Sequence, residues 1–363
     1  MNYKSTLQSN NEALSANNLD LQSLIDKANN LPDAGGGGSS GEQADWSANE
    51  DAIVTRTLSN YFNDRVTTIG SNAFAYCDNL TTVSFPAATT ISNDAFAYCT
   101  NLTTVSFPAV TKIGKYAFNS CYNLTTVSFP AVTDIGNGAF TYCNNLTTVS
   151  FPVAIGISSS AFAYCGNLTT VSFPAVKYIS DDAFSGCAYL TTASFPVATT
   201  IGNDAFYRCY SLTTVSFPAA TKIGGSAFYD CTGLTTVSFP AVSTIGSSAF
   251  AYCNNLTTVS FPVATTISSG AFYSCTGLTT VSFPAVTAIG SNAFYSCYNL
   301  KSLYLMGSSS CKLSNSKAFY STPIGGYSAS AGTYGSIYVP SSLLTTYKYG
   351  SNWSYFSSRF VGV

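Results

Sequence analysis

The sequence predicts an α/β repeat solenoid, and three observations carry that expectation. A 22-residue unit returns without slippage along most of the 363 residues. Within each unit the apolar spacing changes, so a short strand is followed by a short helical turn. Leucines mark the period at Leu80, Leu102, Leu124, Leu146, Leu168, Leu190, Leu212, Leu234, Leu256, Leu278 and Leu300. A helical bundle or a globular enzyme core imposes no such regularity, whereas stacked repeats do.

Residues 1–31 read as one amphipathic helix with a heptad. Leu7, Leu14, Leu21 and Ala28 take one seam position, and Tyr3, Asn10, Asn17, Leu24 and Leu31 the other. A narrow apolar strip with Asn10 and Asn17 inside it suits a short parallel coiled coil, in which buried Asn fixes register and strand number. A homotrimeric stem is the expected result. Pro32 ends the helix, and residues 32–45, with Gly35–Gly38 and Gly41, form a flexible tether. Residues 46–65 read as an N-terminal cap, with a helix expected in EDAIVTRTLSNYF.

Residues 66–300 are the repeats. In Leu102-Thr103-Thr104-Val105-Ser106-Phe107, alternation sends Val105 and Phe107 inward and Thr104 and Ser106 outward, as in a strand. Pro108 stops it, because proline has no donor for the ladder. Ile113, Ala117 and Cys121 then lie four residues apart, which predicts one face of a helical turn with Phe118 beside it. Gly114 occupies a position that is only ever Gly or Ser, as a crowded interior requires. Residues 301–363 abandon the period and read as a C-terminal cap. Ile337–Val339 is the final strand, Ser341-Ser342 the start of a helix through Tyr349, and Trp353, Phe356 and Phe360 the cover over the open core.

Only 8% of residues are charged and the net charge is −2, so Ser, Thr, Asn and Tyr must cover much of the surface. That balance offers no basic footprint for nucleic acid and no attraction to anionic lipid. No stretch is apolar enough to insert in a membrane, and the N-terminus lacks the pattern of a secretory signal. Extracellular or virion placement would then need another export route. There is no His, so the commonest general base is missing, and no serine has a triad partner. No cofactor is expected.

Cys77, Cys99, Cys121, Cys143, Cys165, Cys187, Cys209, Cys231, Cys253, Cys275 and Cys297 share one repeat position, and Cys311 stands apart. Stacking would bring neighbours near enough for disulfides, but with parallel Cβ vectors, so a column of reduced core thiols is expected. Zinc is not: there is no His and no CxxC pair. Asp182 and Asp204 share another position and should sit about 5 Å apart on adjacent rungs. That spacing would suit a retaining glycosidase pair, or a calcium site with Asp181. Carboxylates favouring the start of a helical turn are the simpler account. The outward Thr and Ser rows resemble an ice-binding face, though cross-strand packing explains them equally.

The variable half of the unit is rich in tyrosine. Tyr98, Tyr116, Tyr122, Tyr142, Tyr164, Tyr207, Tyr210, Tyr229, Tyr252 and Tyr273, with small polar neighbours, form the candidate binding surface. This palette also builds antibody paratopes, and phenol rings can stack on sugar faces. Drift in an exposed turn is the alternative explanation.

The pattern LTTVSFPAVTxIGxxAFxxCxN resembles the leucine-rich repeats of the BspA-like (Treponema pallidum type) family over about residues 66–300. It departs from the general leucine-rich consensus in placing Cys121 before Leu124. The resemblance implies a leucine-rich repeat array on a bacterial or bacteriophage surface protein used for adhesion. The leader, EDAIVTRTL and the tail resemble the ends of repeat proteins encoded by prophages of gut bacteria. Together these imply a non-enzymatic receptor-binding protein, on a tail fibre or as a surface adhesin, that engages a bacterial surface glycan or protein. A glycan depolymerase at Asp182 and Asp204, or a structural spacer, are the other expectations.

Overall fold

The structure, a computed structural model, describes residues 43–44, 59–326 and 334–363. The heptad, most of the glycine tether and residues 46–58 of the expected N-terminal cap lie outside the described residues.

Each rung contains two strands. The expected one, such as Thr104–Ser106, pairs in parallel with Thr82–Ser84, each residue facing its counterpart one repeat earlier. Thr104 and Ser106 are exposed while Phe107 is buried, as the alternation requires. The second strand has two residues, as in Lys112–Ile113, and the sequence reading missed it. These short strands join into a continuous 13-stranded parallel sheet ending at Lys312–Leu313. Two residues are too few to show an alternation, so only the recurring Ile betrays them.

The expected helical turn is corrected. Residues 114–121 form a chain of tight turns, and among the described residues the only α-helix is Leu344–Tyr349. Alternate N–H groups leave the rung: Tyr116, Phe118 and Ser120 donate to the carbonyls of Asn137, Ala139 and Thr141 at 2.8–2.9 Å. Asn119 and Cys121 instead donate within the rung, to the carbonyls of Tyr116 and Phe118. Two left-handed residues per rung, Tyr116 (φ 55°) and Ser120 (φ 59°), break any helix between them. The four-residue apolar spacing was real but reports burial, which this turn achieves with donors pointing along the stack. Gly114 is indeed crowded, yet by the preceding rung: a Cβ there would fall 2.4 Å from the Ser92 carbonyl carbon.

Ile, Ala, Phe, Cys and Leu columns fill the interior. Successive phenylalanines stack face to face, Phe96–Phe118 at 5.2 Å and Phe118–Phe140 at 5.2 Å, and meet the second Phe column edge-on, as in Phe107–Phe118 at 6.1 Å and 63°. All twelve cysteines are free and buried. Cys121 to Cys297 each place Sγ 3.0–3.2 Å from a Phe carbonyl on the preceding rung, Cys121 on Phe96 for example. The thiol thus serves as a small apolar filler with one weak donor.

Both ends depart from expectation in detail. The EDAIVTRTLSNYF helix is contradicted at its C-terminal residues, since Asn60–Phe62 is a strand in register with Thr82–Ser84. It occupies the T-V-S place of an earlier rung, and Tyr61 packs against Phe74 and Phe85 at 5.3 and 5.4 Å. At the other end, Ser336–Val339 pairs with Ser302–Tyr304 and with Phe360–Gly362. Ser341–Leu343 is a 3-10 turn with no side-chain cap, and the α-helix starts at Leu344. Trp353 and Phe356 lie 6.0 and 5.6 Å from Phe319, and the Trp353 indole N–H donates to the Cys311 carbonyl at 2.7 Å. Among the described residues no helix is long and apolar enough to cross a membrane.

Candidate recognition surface

The left-handed backbone positions explain much of the variable half. One of them holds Asn72, Asp94, Tyr116, Gly138, Ser160, Asp182, Asp204, Ser226, Ser248, Gly270 and Asn292. Except for Tyr116 these are small residues, and Asn, Asp and Gly are the types that adopt positive φ most readily. Asp182 (φ 57°) and Asp204 (φ 53°) therefore have a conformational reason to be there. Burial first, then neighbouring carboxylates, raise both above the usual carboxylate range. Asp181 is occupied, accepting the Asn203 backbone N–H at 2.7 Å. Among the described residues, no group of three acidic or cysteine side chains converges as a metal site. Asp204→Gly should leave stability within about 0.5 kcal/mol of the parent, while Asp204→Ala should cost about 1–2 kcal/mol. Urea midpoints of the two variants check this; equal losses would contradict a turn role.

The other left-handed position, four residues on, holds Tyr76, Tyr98, Tyr142, Tyr164 and Tyr252, with Ser, Gly, Arg or Asp elsewhere. Where it lacks tyrosine, the preceding residue often supplies one, as in Tyr207, Tyr229, Tyr273 and Tyr295. Seven of the ten candidate tyrosines thus fall in two neighbouring columns, while Tyr116 takes the first left-handed position and Tyr122 and Tyr210 follow the cysteine. Tyr98, Tyr116, Tyr122, Tyr142, Tyr164, Tyr210 and Tyr252 are exposed, and Tyr207, Tyr229 and Tyr273 are half-buried.

Seven of them pack ring against ring, most pairs stacked but Tyr229–Tyr252 and Tyr252–Tyr273 tilted at 56° and 46°. Tyr207–Tyr229, Tyr229–Tyr252, Tyr252–Tyr273, Tyr273–Tyr295 and Tyr295–Tyr320 run at 4.9–5.4 Å between ring centroids. Tyr76–Tyr98 and Tyr142–Tyr164 are separate pairs at 4.8 Å. A ring that lies flat against a neighbour, as Tyr98 does on Tyr76, has that face covered. Burial, and then the adjacent phenols, raise Tyr229 and Tyr273 above the ordinary phenol value. Arg208 adds a cation over the Tyr207 ring at 5.0 Å and lies 3.9 Å from Asp230.

Sequence reasoning missed Tyr320, which follows a lengthened repeat, and the exposed Tyr178 and Tyr189. It also missed which turns leave room for a ring. The available signal was a glycine one repeat after a tyrosine: the Tyr116 ring lies over Gly138 and the Tyr164 ring over Gly186.

A parallel-stranded solenoid of 22-residue rungs, each with one buried leucine, has the architecture of a leucine-rich repeat protein. The BspA type leucine rich repeat region matches residues 67–191, 155–265 and 199–324, and the chain belongs to that family. A leucine-rich repeat protein from Bacteroides ovatus is similar in structure, at 25% identity and a TM-score of 0.54, covering 82% of this chain and 88% of its own. A leucine rich cell surface protein from Faecalibacterium prausnitzii gives 24% and 0.48, over 84% and 92%. The T. pallidum leucine-rich repeat protein gives 23% and 0.27, over 53% and 72%. No curated protein matches the chain.

Proposed function

We propose that this chain is a non-enzymatic recognition and adhesion protein whose tyrosine edge engages a bacterial cell-surface glycan or protein. One observation carries the reading. Tyr76, Tyr98, Tyr116, Tyr142, Tyr164 and Tyr252 hold a positive φ that disfavours L side chains by about 1–2 kcal/mol, where Gly138, Gly186 and Gly270 serve the fold without strain. Exposed aromatics kept at unfavourable backbone positions point to a role outside folding. Membership of the BspA-type family supports an adhesive surface protein.

The heptad from Leu7 to Leu31 and the tether after it favour a more specific setting, in which a homotrimeric stem mounts the solenoid on a bacteriophage tail fibre. Three tethered copies would raise weak contacts through effective concentration. A bacterial surface adhesin is the alternative setting, and both use the same edge.

The labelled full-length chain is expected to bind a subset of a panel of gut bacterial cells. The double variant Tyr229→Ala, Tyr273→Ala should lose at least tenfold in binding, with an unchanged far-UV spectrum. Light scattering should give a trimer that becomes a monomer when residues 1–31 are deleted. Absence of binding to every strain would overturn adhesion, and a monomeric full-length chain would overturn the stem.

A further inference from the structure

The outer face of the continuous sheet departs from its own pattern on two adjacent rungs. Elsewhere in the regular repeats, the residue two places before the buried Ile is Thr or Ser. Thr89, Thr111 and Thr133 each donate their hydroxyl to the backbone carbonyl one rung earlier, at 3.1–3.4 Å. The row resumes with Thr199 and Thr221 at 3.2 Å. Between them stand Ile155 and Lys177, which have no hydroxyl to give. The carbonyls of Thr133 and Ile155 go without the side-chain bond that stabilises the rest of the row.

The same rungs carry further changes. Gly156 and Tyr178 stand where Thr90, Thr200 and Thr244 recur, and the Tyr178 ring lies over Gly156 in the space a threonine would need. Ile155 is 44% exposed, Tyr178 49% and Val153 43%. Val153 and Ile155 flank the fully buried Ala154, and Ile155 adjoins the glycine on which Tyr178 lies. Val197 and Val263 are also exposed, but on rungs that keep Thr199 and Thr265. Single exposed apolar residues need no explanation, whereas a contiguous group marks an interaction site.

Lysines frame this group. Lys177 follows Ile155 on the next rung, its backbone N–H donating to the Ile155 carbonyl at 2.7 Å. Lys112 and Lys222 lie in the Tyr178 column on opposite sides of it, about 24 Å apart at about 4.8 Å per rung. All three lysines are exposed. In these two columns the single acid among the described residues is Asp134, whose carboxylate accepts the Thr133 hydroxyl at 2.8 Å.

We propose that this patch docks an extended acidic segment of a partner protein. Apolar side chains of the segment cover Ile155 and Tyr178, and its carboxylates meet Lys177 and the lysines at either end. An extended strand of about seven residues spans the distance. The aliphatic Ile155 and Val153 favour a peptide over a glycan, whose hydroxyls gain nothing from burial against them. The surface lies on the sheet and not on the turns that carry the tyrosine edge, so it goes beyond the adhesion reading.

Random peptides displayed on ribosomes and selected on the full-length chain are the probe, with oligogalacturonate as an acidic glycan. Selected peptides should carry Asp or Glu around a Leu, Ile or Phe. Fluorescence anisotropy should show the tightest of them weakened more than tenfold by Ile155→Thr and Tyr178→Thr together, and at least fivefold by Lys177→Glu. Threonine is what neighbouring rungs hold in both places, so the double variant should keep the parent's urea midpoint or exceed it. Should it misfold, Lys177→Glu decides. Recovery of no peptide, or of peptides without acidic residues, would overturn the proposal. So would binding that these variants leave unchanged, or binding of oligogalacturonate in place of peptide. Cell binding by the double variant should equal the parent's, because the tyrosine edge is intact; its loss would overturn the separation of the two surfaces.

Discussion

Raised from pH 8 to pH 11 under reducing conditions, the protein is expected to unfold over a narrow range starting near pH 9. The cause is the thiol column. Burial lifts the thiols far above their ordinary value of 9.0, with Cys187 and Cys297 pushed up to about 12 and Cys143, Cys165 and Cys209 well above normal. In the unfolded chain the same groups titrate near 9. The folded state thus holds protons that the unfolded state releases, and stability is complete below pH 9 and lost as pH climbs toward the folded values. Each thiol contributes about 1.4 kcal/mol per pH unit in that window. A handful acting together removes the roughly 5–15 kcal/mol that holds a typical domain. Tyr347, also raised by burial, adds to the effect in the same direction at higher pH.

Far-UV circular dichroism against pH, with a thiol reagent counting exposed sulfur, checks this directly. Below pH 8 the native chain should react negligibly, and all twelve cysteines should react once it unfolds. Replacing Cys165, Cys187 and Cys209 together with Ala should flatten the dependence of stability on pH by about 4 kcal/mol per unit. A chain that stays folded and unreactive at pH 11 would show that the column does not control stability.

The second large effect is expected at Phe184. It is fully buried, stacks on Phe162 at 5.4 Å and Phe206 at 5.3 Å, and meets Phe173 and Phe195 at 6.1 and 5.8 Å. Phe184→Ala should cost about 4 kcal/mol, combining lost transfer energy, an unfilled cavity and broken ring pairs. Because each rung touches only its neighbours, the damage sits on the coupling between the two halves of the array. The urea transition should therefore broaden as well as shift, with a lower m-value as the halves begin to unfold separately. Tyr189→Ala, which truncates a residue 62% exposed, should stay within about 0.5 kcal/mol and serves as the control. A loss below about 1.5 kcal/mol at Phe184 would mean the aromatic column is not what couples the rungs.

The spine was legible because its determinants are periodic. Val105 and Phe107 alternate as a strand must, Pro108 ends it, and the Phe118 and Cys121 columns follow from any stack with a constant repeat. The turn was misread because Ile113, Ala117 and Cys121 have helical spacing, and spacing cannot say where an N–H points. Left-handed residues decide that, and Tyr116 and Ser120 carry no side-chain signature of positive φ. The strand at Asn60–Phe62 was read as helix because NYF keeps none of the T-V-S letters, although it occupies their place.

The candidate site divides in the same way. Composition alone marked tyrosine as the conspicuous surface residue and removed charge-driven partners from consideration. The assignment of each phenol to a stack, an edge or a bare face came only with the fold. Those states depend on whether the residue 22 places along is Tyr, Gly or Ser, and on which backbone position projects the ring. By itself the sequence determined that this chain stacks, with which side inward and at what period, because burial acts on every rung alike. Which rings pack against one another was decided by tertiary structure, because a ring contact exists only between neighbours and belongs to no single rung.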